Sequence, residues 1–415
     1  MSRREQARAV LDRLARASAT ERALIAFAAL ALSMFVGTVI VLVAGIFVKN
    51  CTEPAYFLAG QSFCYDPFHV YDRLFLGALG DPLAGNWDPL NAQFAVTLRE
   101  TTVLVFTGLS VAIAFRAGVF NIGTQGQLVV GALATALAVI AIGPIGSGVV
   151  GTLLLIPLGI LVGAVGGGIY GAIPGALKAY AEANEVITTI MLNFVATSVV
   201  FYLVNEHFRN PDSQAVETVD IPVQAVFPSV LFDPRTDFSL IALGVGLLAI
   251  IGIYLLLERT SFGYDLRTAG LQPEAAEYGG VDAPKTVVAS MALSGALGGI
   301  GGAMYVLMIL GKFQTGVPAY GFDGITVSIL AGNNPLGVGF AALLFGVLKS
   351  GTTVVQVSTD VPPQLVGVLR GLIILFVAMP EFFRLVGKRL NAGGKKGLAL
   401  GQKAKDVAAD GGEER

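Results

Sequence analysis

A succession of apolar runs, each near twenty residues or longer and bounded by charge or turn residues, leaves this chain few folds. Such runs cover residues 24–47, 94–114, 119–142, 149–173, 186–204, 238–257 and 286–310. An α-helix needs ~20 apolar residues to cross a hydrocarbon core of ~30 Å. Within that core an unpaired backbone amide is so costly that only helices and closed barrels span it. The period-two alternation of barrel strands is missing, so an all-α membrane protein is predicted. Composition agrees, since 54% hydrophobic and 13% charged residues provide too little polar surface to coat a water-soluble fold. The mean hydropathy is +0.72. The 52 glycines beside a single Trp predict helices that approach closely through small residues, because lipid supplies no hydrophobic force between them. A net charge of -2 argues against a nucleic-acid-binding face.

Orientation follows from the basic residues. Arg3, Arg4, Arg8, Arg13, Arg16 and Arg22 precede the first run, and no small-residue cleavage pattern follows it. The first helix is therefore expected to be retained, with its N-terminus in the cytoplasm. The expected organisation is a basic cytoplasmic N-terminus (1–23), a transmembrane domain (24–380) and a cytoplasmic tail (381–415). Exterior loops are expected at 49–92 and 205–237. A cytoplasmic loop at 258–285 carries Arg259, Arg267 and Lys285. The tail holds Arg384, Lys388, Arg389, Lys395 and Lys396, so an odd number of crossings must follow residue 310. Runs 325–348 and 363–379 give two. The conflict is resolved if AGNNPLG (331–337) breaks the first into two short segments, because two Asn, a Pro and two Gly end a helix. About ten transmembrane helices result, and Asn333 and Asn334 become candidates for lining a transport path, since irregular backbone at membrane depth survives only against protein or water. Four segments from 94 to 204 begin outside and four from 286 to 379 begin inside, which is the pattern of inverted repeats.

Several polar groups interrupt the oil. FNIGTQGQLVVGA (120–132) places Asn121, Gln125 and Gln127 at the start of a span, and Asn193 lies inside another. These are candidates for lining a path, while for Asn193 a plain interhelical hydrogen bond is an equal reading. Gly159, Gly163, Gly167, Gly171 and Gly175 recur every four residues and form a packing stripe. The GxGxxG spelled by 166–171 lies inside an apolar helix with no preceding strand and is read as packing too. Arg99, Glu100 and Arg370 fall in or near spans, and an interhelical pair of Glu100 with Arg370 is expected.

No GxxxxGK followed by Ser or Thr and no GxSxG occurs, so no ATPase site, enzyme activity or cofactor of its own is expected. His69 and His207 lie in different loops, which supports no metal site. Cys51 and Cys64 share the first exterior loop, where a disulfide and two free thiols are both open. In SFGYDLRTAGLQPEAAEYGGVDAPK (261–285), Pro273 can open a short helix with Glu274 and Glu277 at its N-terminal end, and Gly279 and Gly280 can close it. Such a capped helix between two spans is expected to dock a partner, the alternative being an ordinary surface loop.

Four stretches taken together, FRAGVFNIGTQGQ (115–127), NEVITTIMLNFVA (184–196), SFGYDLRTAGLQPEAAEYGGV (261–281) and GFDGITVSILAGNNPLG (321–337), resemble the permease subunits of ABC importers. The branch is the one serving branched-chain amino acids, ribose-type sugars and nucleosides, and the resemblance covers about 94–379. It implies a type II ABC importer permease fold with inverted repeats, in the plasma membrane among its lipids. It also implies partners: ATP-binding subunits that carry ATP and magnesium, a second permease expected to be a paralogue, and an extracellular solute-binding protein. The first two stretches are most similar to nucleoside and sugar permeases, so a monosaccharide or nucleoside is the expected solute. A branched-chain amino acid permease and an ion-coupled secondary transporter are the alternatives, but for the latter Glu100 stands nearly alone as an intramembrane acid. The family's coupling helix falls on 270–280, where Gly270, Pro273, Glu274, Ala275, Ala276 and Gly280 are similar to the loop that grips the ATPase. Ser290 departs from the wider signature, where an Ile is expected.

Overall fold

The computed structural model describes residues 19–48, 51, 54–58, 60–143 and 148–378. The arginines up to Arg16 and the basic tail from Arg384 lie outside the described residues. In chain order the elements are α1 (Ala19–Ile46), a hairpin of β1 (Tyr56–Leu58) and β2 (Gln61–Phe63), α2 (Pro67–Phe75), α3 (Ala92–Arg116), α4 (Thr124–Ile142) and α5 (Gly148–Ala181). They continue with α6 (Glu185–Leu203), α7 (Leu240–Arg259), α8 (Ser261–Leu271), α9 (Pro273–Tyr278), α10 (Ala283–Met304), α11 (Tyr320–Leu330), α12 (Pro335–Ser358) and α13 (Pro363–Ala378). Among the described residues, eight helices are long and apolar enough to cross a membrane: α1, α3 to α7, α10 and α12. At 1.5 Å per residue, α11 with 11 residues and α13 with 16 reach only ~16 and ~24 Å.

The chain divides into two compact units. One joins the residues up to Phe68 to those from Pro362 onward. In it α1 packs against α13, Cys51 and Cys64 are joined as a disulfide with their Cα atoms 5.8 Å apart, and the hairpin lies inside the closed loop. The Cys64 amide donates to the Gly45 carbonyl at 3.3 Å, so the loop is seated directly on α1.

The second unit, His69–Val361, holds the rest. At its centre α3 is buried on every face from Glu100 to Ala114, with α10, α4, α11 and α12 around it. α5 and α10 run antiparallel through glycine. A Cβ on Gly167 would overlap the Gly295 carbonyl, and one on Gly299 would overlap that of Gly163. Only residues without side chains permit this approach, and the gain is close backbone packing that lipid cannot match.

The stretch AGNNPLG does not divide one span into two short pieces. α12 is a full helix of 24 residues, opened by Pro335 at its first turn and capped by Asn334, whose side chain accepts from the Leu336 amide. Pro and Asn here begin a helix rather than interrupt one. Gly332 and Asn333 have positive φ and turn the chain back at the end of the bundle where α3 finishes, with the Arg116 Nε donating to the Asn333 carbonyl at 2.9 Å.

Irregular backbone at depth lies elsewhere, at 117–123 and 311–319. The first leaves α3 and reaches α4 at the level of Ser110, six residues short of Arg116 and so ~9 Å inside that end. The second descends from the opposite end to α11, which starts deep in the bundle with Gly324 against Thr107 of α3. The second elements of the two halves, α4 and α11, therefore both start inside the unit and run in opposite directions, as inverted repeats require.

Between α6 and α7, residues 209–239 form a strap held on the chain that follows α10. Thr218 N donates to Phe313 O at 2.9 Å, Thr315 N to Val216 O at 3.1 Å, Ile221 N to Gly311 O at 2.8 Å and Phe227 N to Leu307 O at 2.8 Å. Lys312 Nζ meets Glu217 at 3.0 Å. The Ser213 hydroxyl and then the Lys312 ammonium hold the Glu217 carboxyl below the usual carboxylate range. This contact therefore stabilises the fold above that range and loses its contribution as pH falls through the lowered value.

Candidate functional site

α4 and α11 direct their N-termini at one spot. Neither is capped by its own preceding residue, Gly123 or Ala319, although first-turn amides inside a helix bundle must find acceptors. Side chains from neighbouring helices supply them. Gln125 Oε1 accepts from Gly321 N at 2.8 Å, while its Nε2 donates to Pro318 O at 3.1 Å and Val317 O at 3.4 Å. Asn193 of α6 accepts from Gly126 N at 2.8 Å and donates to Ile122 O at 2.9 Å. The two descending segments are thus clasped by two carboxamides, each with both ends used.

Asn121 and Gln127 brace this junction from within. Asn121 Nδ2 donates to Gln127 Oε1 at 3.0 Å and to Ser294 Oγ at 2.7 Å, and its Oδ1 accepts from Gly123 N at 2.9 Å. Ser294 donates to Ser110 O at 2.6 Å, and all of these side chains are buried. Gln125 borders a cavity of about 70 Å³ with Val129, Thr197, Val200, Phe313 and Thr315. Small-molecule pockets start at ~300 Å³, so this cavity is too small to hold one. Asn333 and Asn334 are not brought to this place. Asn333 accepts from Ser328 Oγ at 3.0 Å and Asn334 caps α12, both at the Arg116 end.

Replacing Gln125 by Leu removes the acceptor for Gly321 N and both donors to the 317–318 carbonyls. Transport into proteoliposomes is expected to fall at least about tenfold, in line with ~1–3 kcal/mol for each buried group left unpaired. Thr197→Val, on the rim of the same cavity, is expected to leave transport within about twofold, because it deletes no interhelical bond.

The expected partner of Glu100 is corrected. Its carboxylate meets Arg99 at 3.1 Å and Lys349 of α12 at 3.6 Å and accepts from the Tyr320 hydroxyl at 2.7 Å, whereas Arg370 belongs to the other unit. Lys349 also lies 3.5 Å from Asp323 and 3.3 Å above the Tyr320 ring centroid. Each charge faces an opposite one, which is how such groups persist in membranes. Lys349 and Asp323 escaped sequence reading because each is a single charge near the end of an apolar run. The proximity of Asp323 to Gly321 and Gly324 is the signal that α11 begins there.

At the Arg116 end, α8 and α9 form an elbow. The sequence led to one capped helix from Pro273. The structure adds α8, capped by Thr260, whose hydroxyl accepts from Gly263 N at 3.1 Å. Pro273 opens α9 and Gly279 closes it. In α9 only Ala276 is buried, packed with Ala269 and Ala283, while Glu274, Ala275 and Glu277 are exposed. Tyr278 is 96% and Leu271 87% exposed, an apolar presentation that suits a protein partner. Gly270 lies backbone to backbone on the 117–123 segment, where a Cβ would come within 2.6 Å of the Arg116 carbonyl and 2.8 Å of Gly118 N. Three residues beyond Gly118 is Asn121, so the elbow touches the very segment that leads to the clasped junction.

The family described as branched-chain amino acid transport system / permease component matches residues 94–378. The nucleoside ABC transporter permease protein NupB of Lactococcus lactis is 31% identical over 325 residues, 77% of this chain and 85% of the relative. The guanosine ABC transporter permease protein NupP of Bacillus subtilis is 34% identical over 309 residues, 72% of this chain and 84% of the relative. The glucose ABC transporter permease protein TsgB13 of Haloferax volcanii is 29% identical over 356 residues, 83% of this chain and 87% of the relative.

Proposed function

We propose, for a chain that belongs to the permease-component family of branched-chain amino acid transport systems, that the clasped junction of α4 and α11 is the gate through which a solute passes. The chain is a multi-pass membrane protein and the permease subunit of an ABC transporter importing a sugar or nucleoside. Family membership implies ATP-binding subunits and a substrate-binding protein as partners. In our reading the Arg116 end and both chain termini face the cytoplasm, the strap faces outward, and a paralogous permease completes the pair. The chain binds no cofactor, and ATP and magnesium are held by the partner subunits.

The observation that carries the gate is the exchange of caps between helices. A sugar or nucleoside presents hydroxyls and ring nitrogens that can replace the Gln125 amide at Gly321 N and at the 317–318 carbonyls without burying a charge. The docking elbow supplies the drive. Closure of the ATPases on ATP carries α9, and the Gly270 contact passes the displacement to 117–123 and so to the start of α4. A ligand can shift this equilibrium only by binding one arrangement better than the other, and the exchanged caps are where that difference arises.

The test is a reconstituted complex with its binding protein, assayed for ATPase stimulation by nucleosides, monosaccharides and branched-chain amino acids. Stimulation by a nucleoside or a monosaccharide is the expected result. Stimulation by branched-chain amino acids alone would refute the solute assignment.

A further inference from the structure

We infer that Arg116 is a positioning residue that carries displacement of the docking elbow to α11, so that one elbow drives both gate helices; this rests on the gate and docking readings above. The Gly270 contact leads to 117–123 and hence to α4 alone. α11 is the other half of the junction, and its far end returns to the elbow through side chains. Glu258, next to last in α7, stands between two guanidiniums: Arg267 of α8 meets its Oε2 at 2.7 Å, and Nη1 of Arg116 lies 3.9 Å from its Oε1. Arg116 in turn donates from Nε to the Asn333 carbonyl at 2.9 Å. That acceptor is fixed to α11. Asn333 N donates to Ser328 O at 2.9 Å, Gly332 N to Ile329 O at 2.9 Å, and Ser328 Oγ to Asn333 Oδ1 at 3.0 Å.

The turn therefore moves with the last turn of α11 as one piece. α11 has only 11 residues and rises ~16 Å, and its first turn presents Gly321 N to Gln125. Arg116 and Gln125 thus grip opposite ends of one short helix, and a shift at Asn333 bears directly on the clasp. A simpler duty for Arg116 is to complement the dipole at the C-terminus of α3. That duty asks only for a cation and leaves the fork unexplained, with one arm toward a carboxylate shared with α8 and the other on the α11–α12 turn. A guanidinium serves two directions at once, whereas an ammonium is a point charge. The side chains of Arg116, Glu258 and Arg267 are 30%, 32% and 31% exposed, so these pairs add little to stability and can be remade as the elbow moves.

The experiment compares Arg116→Lys and Glu258→Gln, singly and together, in the complex reconstituted with its binding protein. The readouts are solute molecules imported per ATP hydrolysed and the melting temperature. Each single variant should lower the import ratio at least about fivefold, the lower end of typical coupling between sites. The melting temperature should stay within ~4 °C. The double variant should be no worse than the more impaired single one, because both break the same route. Arg259→Gln, at an exposed position beside Glu258, should leave the ratio unchanged. A wild-type ratio from Arg116→Lys, additive losses in the double variant, an equal loss from Arg259→Gln, or a loss of transport that only follows the melting temperature would each overturn the role of Arg116. Any of these beside impaired transport from Gln125→Leu leaves the gate reading in place. Wild-type transport from Gln125→Leu would overturn the gate, and this inference with it.

Discussion

Gly299→Val is expected to abolish recovery of folded permease, whereas Gly252→Val leaves it unchanged. At Gly299 a Cβ would overlap the Gly163 carbonyl and lie 3.0 Å from the Gly167 Cα. Neither neighbour is the end of a flexible side chain that could move aside. The helices must separate along the whole stripe, because Gly163, Gly167 and Gly171 form one ridge. Overpacking a tight interface costs about 3 kcal/mol, and here the lost backbone contacts add to it. A melting temperature lower by ~10 °C or more in detergent is the expected readout, or no monodisperse protein at all. A Cβ on Gly252 of α7 would meet nothing within 4 Å, so its Val variant reports the effect of the substitution alone. Equal stability of the two variants would show that the glycine stripe does not hold α5 to α10.

The second large effect is at the docking elbow, where two substitutions separate two roles. Replacing residues 274–280 with a Gly/Ser linker should prevent co-purification of the ATP-binding subunits and abolish transport. Only Ala276 of α9 is buried, so permease stability should change by no more than about 1 kcal/mol. Gly270→Val leaves the α9 surface intact but forces α8 away from Arg116 and Gly118. That variant should retain the ATPase and still lose at least about tenfold in transport, because a displacement of the elbow no longer reaches 117–123. Transport at the wild-type rate from Gly270→Val would sink the proposed coupling route, and retained co-purification from the linker variant would sink the docking role of α9.

The spans are legible in the sequence because membrane solvation imposes a length and a polarity that hydropathy reads directly. The glycine stripe is legible for a related reason: a four-residue period puts Gly159 through Gly175 on one face. Partner choice is not. The Glu100 pairing depends on where α11 starts, and that start is fixed by Gln125, about two hundred residues away in sequence. The turn at 331–334 shows in the sequence but its sense does not, since Asn and Pro end one helix and open the next with equal ease. Asn121, Gln125, Gln127 and Asn193 converge on one junction, yet nothing in their local context distinguishes Gln125, beside the cavity, from Asn121, wholly enclosed.

The α5–α10 contact also sets an order of assembly. About a hundred residues separate Ala181 from Ala283, so the glycine ridge of α5 enters the bilayer well before the helix that fills it. At ~5–20 residues per second of synthesis, that interval lasts ~5–20 s. Throughout it α5 presents backbone to lipid or to whatever small-residue helix is nearby, including the same ridge on another nascent chain. Biogenesis of this protein is therefore most exposed to mispairing in the interval between emergence of the fourth long helix, α5, and of the seventh, α10, and a chain truncated after α7 would remain in that unfinished condition.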